Sequence, residues 1–307
     1  MDKLQRCKFQ MHWLNKQVSA TGSDDNHEAF LAEVSRGKSI ENIFMYLRKH
    51  DEKQVLRSVD PKSKRSPLHI ACKHGYMHLI ELFLNKGADV EARDKLLKTP
   101  LHYACENGHA LVVKTLMENR ADPFEKDNCG RTALHYAIYS GQTDVLAILT
   151  MSNEGIVHIK DHAGRTPLHH AVFMESNQIL LISKLISHGA DVNAVDNDRR
   201  TPLHHAAEAG KPRVIPILVQ NSALTAVKDK FGKTPLELAA NNHIKELIIA
   251  YCAPQYQPSE EKIMESLGKK DMKVNKKGQM QFPVTYDPPL ETINRETGTL
   301  KKKKKVV

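Results

Sequence analysis

Aromatic side chains are scarce in this chain, 17 of 307 residues or 6%. No stretch of 18 or more residues is continuously apolar, so no membrane-crossing helix is expected. The opening residues, Met1-Asp2-Lys3-Leu4-Gln5-Arg6, lack the apolar core of a secretory leader, and no Asn-x-Ser/Thr sequon occurs. Glycine-rich loops are absent; the 15 glycines mostly mark turns. Gly-x-Ser-x-Gly, the phosphate-binding Gly-x-x-x-x-Gly-Lys-Ser/Thr loop and the dinucleotide fingerprint are all missing. No nucleophile and base pair up in any defensible spacing. An enzyme is therefore not expected, nor a cofactor, nor a small-molecule substrate.

What the chain has is repetition. Thr166-Pro167-Leu168-His169 recurs as Ser66-Pro67-Leu68-His69, Thr99-Pro100-Leu101-His102, Thr132-Ala133-Leu134-His135, Thr201-Pro202-Leu203-His204 and Thr234-Pro235-Leu236-Glu237. The starts at 66, 99, 132, 166, 201 and 234 are 33, 33, 34, 35 and 33 residues apart. A turn glycine follows nine residues on in four copies (Gly75, Gly108, Gly141, Gly210). Gly87-Ala88-Asp89, Ala121-Asp122 and Gly189-Ala190-Asp191 come later. Self-similarity at this period marks a stacked repeat. On these motifs the chain resembles the ankyrin repeat family over about residues 24 to 253. The resemblance implies an all-α solenoid of helix-turn-helix units joined by extended fingers. It also implies a protein-interaction scaffold or adaptor acting through its concave helix face and fingers.

The motif has a physical reading of its own. A Thr or Ser hydroxyl caps the first helical turn, and Pro at the first helical position gives up no hydrogen bond. Leu68, Ala71 and their counterparts face the core at helical spacing. Helices this short are marginal alone and persist by burying their apolar stripe against stacked neighbours.

Three regions follow. Residues 1–23 carry a net charge of +3 and space Leu4, Cys7, Met11, Leu14 and Val18 as one helical stripe. That stripe docks on a partner or folds back on the first repeat; both readings stand. Residues 24–253 form the repeat domain, with residues 24–65 as N-terminal cap, helices expected at His27 to Arg36 and Ser39 to His50, and the copy at 234 as C-terminal cap. The copy at 132 gains one residue near Met151 to Val157, and the copy at 166 gains two near Glu175 to Gln178. Residues 254–307 hold 12 basic and 7 acidic residues, end in Lys301 to Lys305, and are expected to be disordered. The net charge of +9 thus lies mostly outside the repeats. The second function considered is an electrostatic tether in which this tail holds nucleic acid, acidic protein tails or an anionic membrane.

Five cysteines is an odd number. Cys72 and Cys105 occupy equivalent sites in adjacent copies, on helices about 8–10 Å apart, too far for a disulfide. They read as small buried residues of a reducing compartment, so the expected location is cytoplasm or nucleus rather than outside the cell.

Seventeen histidines invite a metal reading. A regular ladder spaces equivalent residues one repeat apart, whereas zinc needs several ligands at one point, so structural histidines and no metal are expected. Asp196-Asn197-Asp198 begins like a calcium loop, but the required Gly and Glu positions hold Thr201 and Ala207. A basic residue precedes every motif (Arg65, Lys98, Arg131, Arg165, Arg200, Lys233), and Asp94, Asp127, Asp161, Asp196 and Asp229 lie five residues before the motif. This is either a phosphate-binding stripe or a set of solvated ion pairs across the fingers; the second is the expectation. The positions that the repeat leaves free gather four aromatics, and the partner-binding residues expected are Tyr103, Glu106, Tyr136, Tyr139, His170, Phe173, His205 and Glu208. For Tyr103 and Tyr136, packing between helices is an equal alternative.

Overall fold

Each Thr-Pro or Ser-Pro of the sequence starts a helix in the computed structural model, which describes residues 25–37, 40–151, 153, 155–175, 178–252, 273–274 and 280–281. The caps are extended residues at Ser66, Thr99, Thr132, Thr166, Thr201 and Thr234, with Pro inside the first turn in all but one. The described residues from 25 to 252 are all-helical, and they fall into two compact units divided between His162 and Ala163.

The first unit opens with α1 (Asp25–Arg36), α2 (Ile40–Lys49) and α3 (Glu52–Arg57). The two expected cap helices are present; α3 is additional, started by the Asp51 carboxylate accepting from the Lys53 amide. Three helix pairs follow: α4 (Pro67–His74) with α5 (Met77–Asn85), α6 (Pro100–Glu106) with α7 (Ala110–Glu118), and α8 (Ala133–Ser140) with α9 (Thr143–Met151). First helices pack on first helices, α1 on α4, α4 on α6 and α6 on α8, while α7 packs on α9. The extra residue near Met151 to Val157 is taken up beside a short 3-10 turn, Ile156–His158.

The second unit holds α10 (Pro167–Ala171), α11 (Gln178–Ser187), α12 (Pro202–Glu208), α13 (Val214–Gln220), α14 (Pro235–Leu238) and α15 (Asn242–Cys252). Within it α10 and α14 pack on α12, and α11 and α15 pack on α13. The two copies that lack a turn glycine, at 166 and 234, have the two shortest first helices, α10 and α14. Beyond residue 252 only a two-residue strand pair is described: β1 (Lys273–Val274) lies antiparallel to β2 (Met280–Gln281). The readings made of residues 1–23 and of the rest of the tail lie outside the described residues.

The core follows from the motif. Leu68, Leu101, Leu134, Leu168 and Leu203 are buried, as are Ala71, Ala104, Ala137, Ala171 and Ala206. Alanine at these sites lets helix axes approach closely enough for short helices to bury a useful area. Cys72 and Cys105 are fully buried and unbridged; burial pushes both thiols up, which leaves them unreactive at neutral pH.

Fingers are joined by main chain. The Lys95 amide donates to the Ser63 carbonyl (3.0 Å), Asn128 to Leu96 (2.9 Å) and His162 to Cys129 (2.8 Å) in the first unit. Asn197 donates to Ala163 (3.0 Å) and Lys230 to Asp198 (2.9 Å) in the second. One such bond per finger fixes the register of successive copies.

Candidate interaction surface

The surface is framed from beneath by the motif histidines. At His69 the Nδ1 accepts from the Ser66 amide (3.1 Å) and lies 2.8 Å from its hydroxyl, while Nε2 lies 2.9 Å from the Lys98 carbonyl of the next copy. An amide can only donate, so Nδ1 carries no proton and Nε2–H donates onward. His102 bridges Thr99 and the Arg131 carbonyl, His169 bridges Thr166 and Arg200, and His204 bridges Thr201 and Lys233 in the same way. Each imidazole closes a capping box on its own helix and staples the following finger. Burial lowers the pKa of His69 and His204 and takes His102 and His169 down to about 4.

Above the histidines lie the finger aspartates. Asp94, Asp127, Asp161, Asp196 and Asp229 are all buried, which corrects the expectation of solvated ion pairs. Each of four accepts the amide of its own finger's basic residue: Lys98 to Asp94 (2.9 Å), Arg131 to Asp127 (2.8 Å), Arg200 to Asp196 (2.8 Å) and Lys233 to Asp229 (2.9 Å). The residue after the motif histidine supplies a second donor. The Tyr103 hydroxyl reaches Asp94 (2.7 Å), the Tyr136 hydroxyl reaches Asp127 (2.6 Å), and His205 Nε2 lies 2.8 Å from Asp196. Burial opposes ionisation of Asp127 and Asp196, but these hydrogen bonds together outweigh it and hold both carboxyls below the usual range. Burial first, then the neighbouring aspartate, pushes both tyrosine hydroxyls up. A phosphate stripe also loses support here, because Arg131 and Arg200 are committed to carboxylates at 2.8–3.2 Å.

Four of the eight expected contact residues are therefore interior. Tyr103 is 2% exposed, Tyr136 3%, His170 4% and His205 9%. For both tyrosines the packing alternative is the one realised, since the hydroxyl must turn inward to satisfy a buried carboxylate. The exposed remainder is Glu106, Tyr139, Phe173 and Glu208. Tyr139 stands edge-on to Tyr136 (6.0 Å between centroids) in the first unit, and Phe173 edge-on to His205 (5.4 Å) in the second. Glu106 and Glu208 pair with Lys98 (3.1 Å) and Arg200 (2.8 Å). Sequence reasoning missed Leu96 and Leu97, exposed together on the second finger turn. The signal was available: where Asp127-Asn128-Cys129-Gly130 ends in glycine, Asp94-Lys95-Leu96-Leu97 does not.

A family model described as Ankyrin repeats (3 copies) matches residues 31–127, 112–196 and 174–256. The chain belongs to the ankyrin repeat family. Among solved structures it is similar to the ankyrin repeat domain of human ASB11, with 26% identity, TM-score 0.61, and coverage of 73% of this chain and 98% of that one. It is also similar to the ankyrin repeat domain of Bcl-3, described as a unique member of the IkappaB protein family, with 24% identity, TM-score 0.62, and coverage of 71% and 96%. The second likeness speaks to fold alone. Comparison with curated proteins gave no match. No described helix is long and apolar enough to cross a membrane, and among the described residues no three His, Cys, Asp or Glu side chains converge as a metal site.

Proposed function

We propose that this ankyrin repeat chain is a non-enzymatic protein-interaction scaffold that binds its partner through exposed residues of the first helices and the fingers in each unit. Ankyrin repeats generally mediate protein–protein contacts. The supporting observation is the division of labour among the variable positions. Tyr103, Tyr136 and His205 are spent on buried carboxylates, while Tyr139 and Phe173, 39% and 45% exposed, rest on that frame as rigid aromatic anchors. Aromatic residues on a well-packed base are the usual hot spots of an interface. Proximity labelling with the intact chain in its own cell identifies candidate partners. Tyr139→Ala and Phe173→Ala should each weaken binding of a true partner about tenfold or more, with little change in melting temperature. A partner bound normally by both variants would move the contact away from these first-helix residues.

A second reading rests on charge. Residues 254–307 carry 12 basic against 7 acidic residues, including Lys301 to Lys305. As a tether, this tail would hold an acidic polymer in a salt-dependent way. Removal of residues 296–307 should then abolish binding to such a polymer at about 50 mM salt, where screening is weak. Equal binding with and without those residues would leave the repeats as the functional surface.

A further inference from the structure

The finger turns share one backbone, in which residues 64, 97, 130, 164, 199 and 232 all take the left-handed conformation. Three are glycine. At Gly130 the reason is room: a Cβ there would stand 2.5 Å from the His162 ring and 2.8 Å from its amide nitrogen. At position 97 the chain instead places leucine, at φ 58°. A side chain in that region is disfavoured relative to glycine, and Leu97 leaves 43% of its surface exposed. Leu96 beside it is equally exposed.

The frame under these leucines is rigid. Lys95 donates its amide to Ser63 of the preceding finger, and Leu96 accepts from Asn128 of the following one. On the same two linked turns Lys62, Lys64 and Lys95 are all exposed. Among the described residues, none of the three forms an ion pair. The carboxylates nearby are already engaged. Asp60 accepts the Ser63 amide at 2.8 Å and is held low by Ser63, and Asp94 accepts from Leu96, Lys98 and Tyr103. Arg65 turns to Tyr103, and Lys98 to Glu106. Three exposed lysines outside any ion pair thus share two main-chain-linked turns with an exposed aliphatic pair.

We infer that the first two finger turns dock a short acidic peptide segment of a partner protein. One aliphatic side chain of the peptide seats on Leu96 and Leu97, and its carboxylates face Lys62, Lys64 and Lys95. The inference rests on the protein-binding reading and gives it a partner chemistry. A nucleic acid fits less well: single strands stack on exposed aromatic rings, and these two turns expose aliphatic carbon instead.

The test is a random-peptide display selection on the intact chain, followed by fluorescence anisotropy with the enriched peptides. The expected peptides cluster Asp and Glu around Leu or Ile. Their affinity should fall at least tenfold on the Leu96→Ser/Leu97→Gly double variant and on the Lys62→Glu/Lys64→Glu/Lys95→Glu triple variant, and should weaken from about 50 to 200 mM salt. The double variant keeps its fold, because glycine suits the backbone at 97; circular dichroism checks this. Peptides that ignore the finger changes but are lost with Tyr139→Ala would overturn this site and leave the protein-binding reading standing. Basic peptides, or no enrichment over the double variant, would also overturn it. So would tighter binding of polyuridylate RNA that is lost in the lysine variant.

Discussion

The ammonium group of Lys98 stands 4.2 Å from the centre of the Tyr136 ring. The Tyr103 ring lies on its other side at 5.1 Å, and the guanidinium groups of Arg65 and Arg131 cover Tyr103 and Tyr136 at 4.9 and 5.0 Å. Cations and rings therefore alternate along the first unit as Arg65, Tyr103, Lys98, Tyr136, Arg131. The ladder shows why the basic positions before the first three motifs, Arg65, Lys98 and Arg131, are not free phosphate sites. At Arg65 and Arg131 the charge is shared between a ring face and a carboxylate that the same ring's hydroxyl also serves, and Lys98 lies between two rings and pairs with Glu106.

Replacing Lys98 by Met keeps the stem and removes the charge. The lost cation–π contacts and the Glu106 pair should cost about 1–2 kcal/mol, at the desolvated end of the range because the side chain is largely covered. Urea unfolding reads this directly. A variant as stable as the parent would mean that the ammonium gains nothing between the rings beyond what its desolvation costs.

Acid should unfold the repeats through the histidines. Their Nδ1 atoms must stay unprotonated to accept the cap amides, and burial takes His102 and His169 to about 4. In the unfolded chain they protonate near 6.5, so the unfolded state binds more protons between those values. Their contribution is complete above about pH 6.5 and is lost as pH falls toward 4, up to about 3 kcal/mol for each. Asp127, Asp196 and Asp229, held low, add a further loss below about pH 4. Unfolding free energies that stay level from pH 7 to 5 would rule out the neutral, buried imidazoles.

Much of this was readable beforehand. The period, the caps, the buried alanines and the histidine staples follow from local rules applied copy by copy, and Thr99, Ala104 and His102 sit where those rules put them. The contact strip was legible only in part. Sequence spacing places Tyr103 and Tyr139 near one face, but only the position of Asp94 decides that the Tyr103 hydroxyl turns inward. The finger charges were misjudged for the same reason: a carboxylate reads as solvated until the donors that converge on it are seen. Leu97 escaped because its meaning lies in a dihedral angle.

Ala171 is fully buried in α10, within the second unit. Ala171→Asp would bury an unpaired carboxylate between helices, at a cost of several kcal/mol, comparable with the whole stability of a domain. Because neighbouring repeats hold one another, hydrogen exchange should show protection lost in α12 as well as α10. An unchanged melting curve would mean that the face of α10 assigned to the core is wrong.

Glu237 takes the place of the motif histidine in the last copy, and the substitution has a geometric reason. Its Oε2 accepts the Thr234 amide (2.7 Å) and hydroxyl (3.1 Å), which closes the capping box as an imidazole Nδ1 would. A carboxylate has no second end that donates. His102 needs one, because its Nε2–H reaches the Arg131 carbonyl of the next finger at 3.2 Å; no further copy of the motif follows the one at 234 in the sequence. The two sites should therefore respond in opposite ways to exchange. Glu237→His keeps the acceptor and leaves Nε2 to water, so stability at pH 7.5 should hardly change. His102→Glu buries a charge, orphans a carbonyl and faces Asp94 and Asp127 nearby, so it should cost several kcal/mol. Thermal and urea unfolding of the two variants, measured side by side at pH 7.5, gives the comparison. Equal losses would show that the histidine position only caps its own helix, and that the bond to the following finger contributes nothing to the stack.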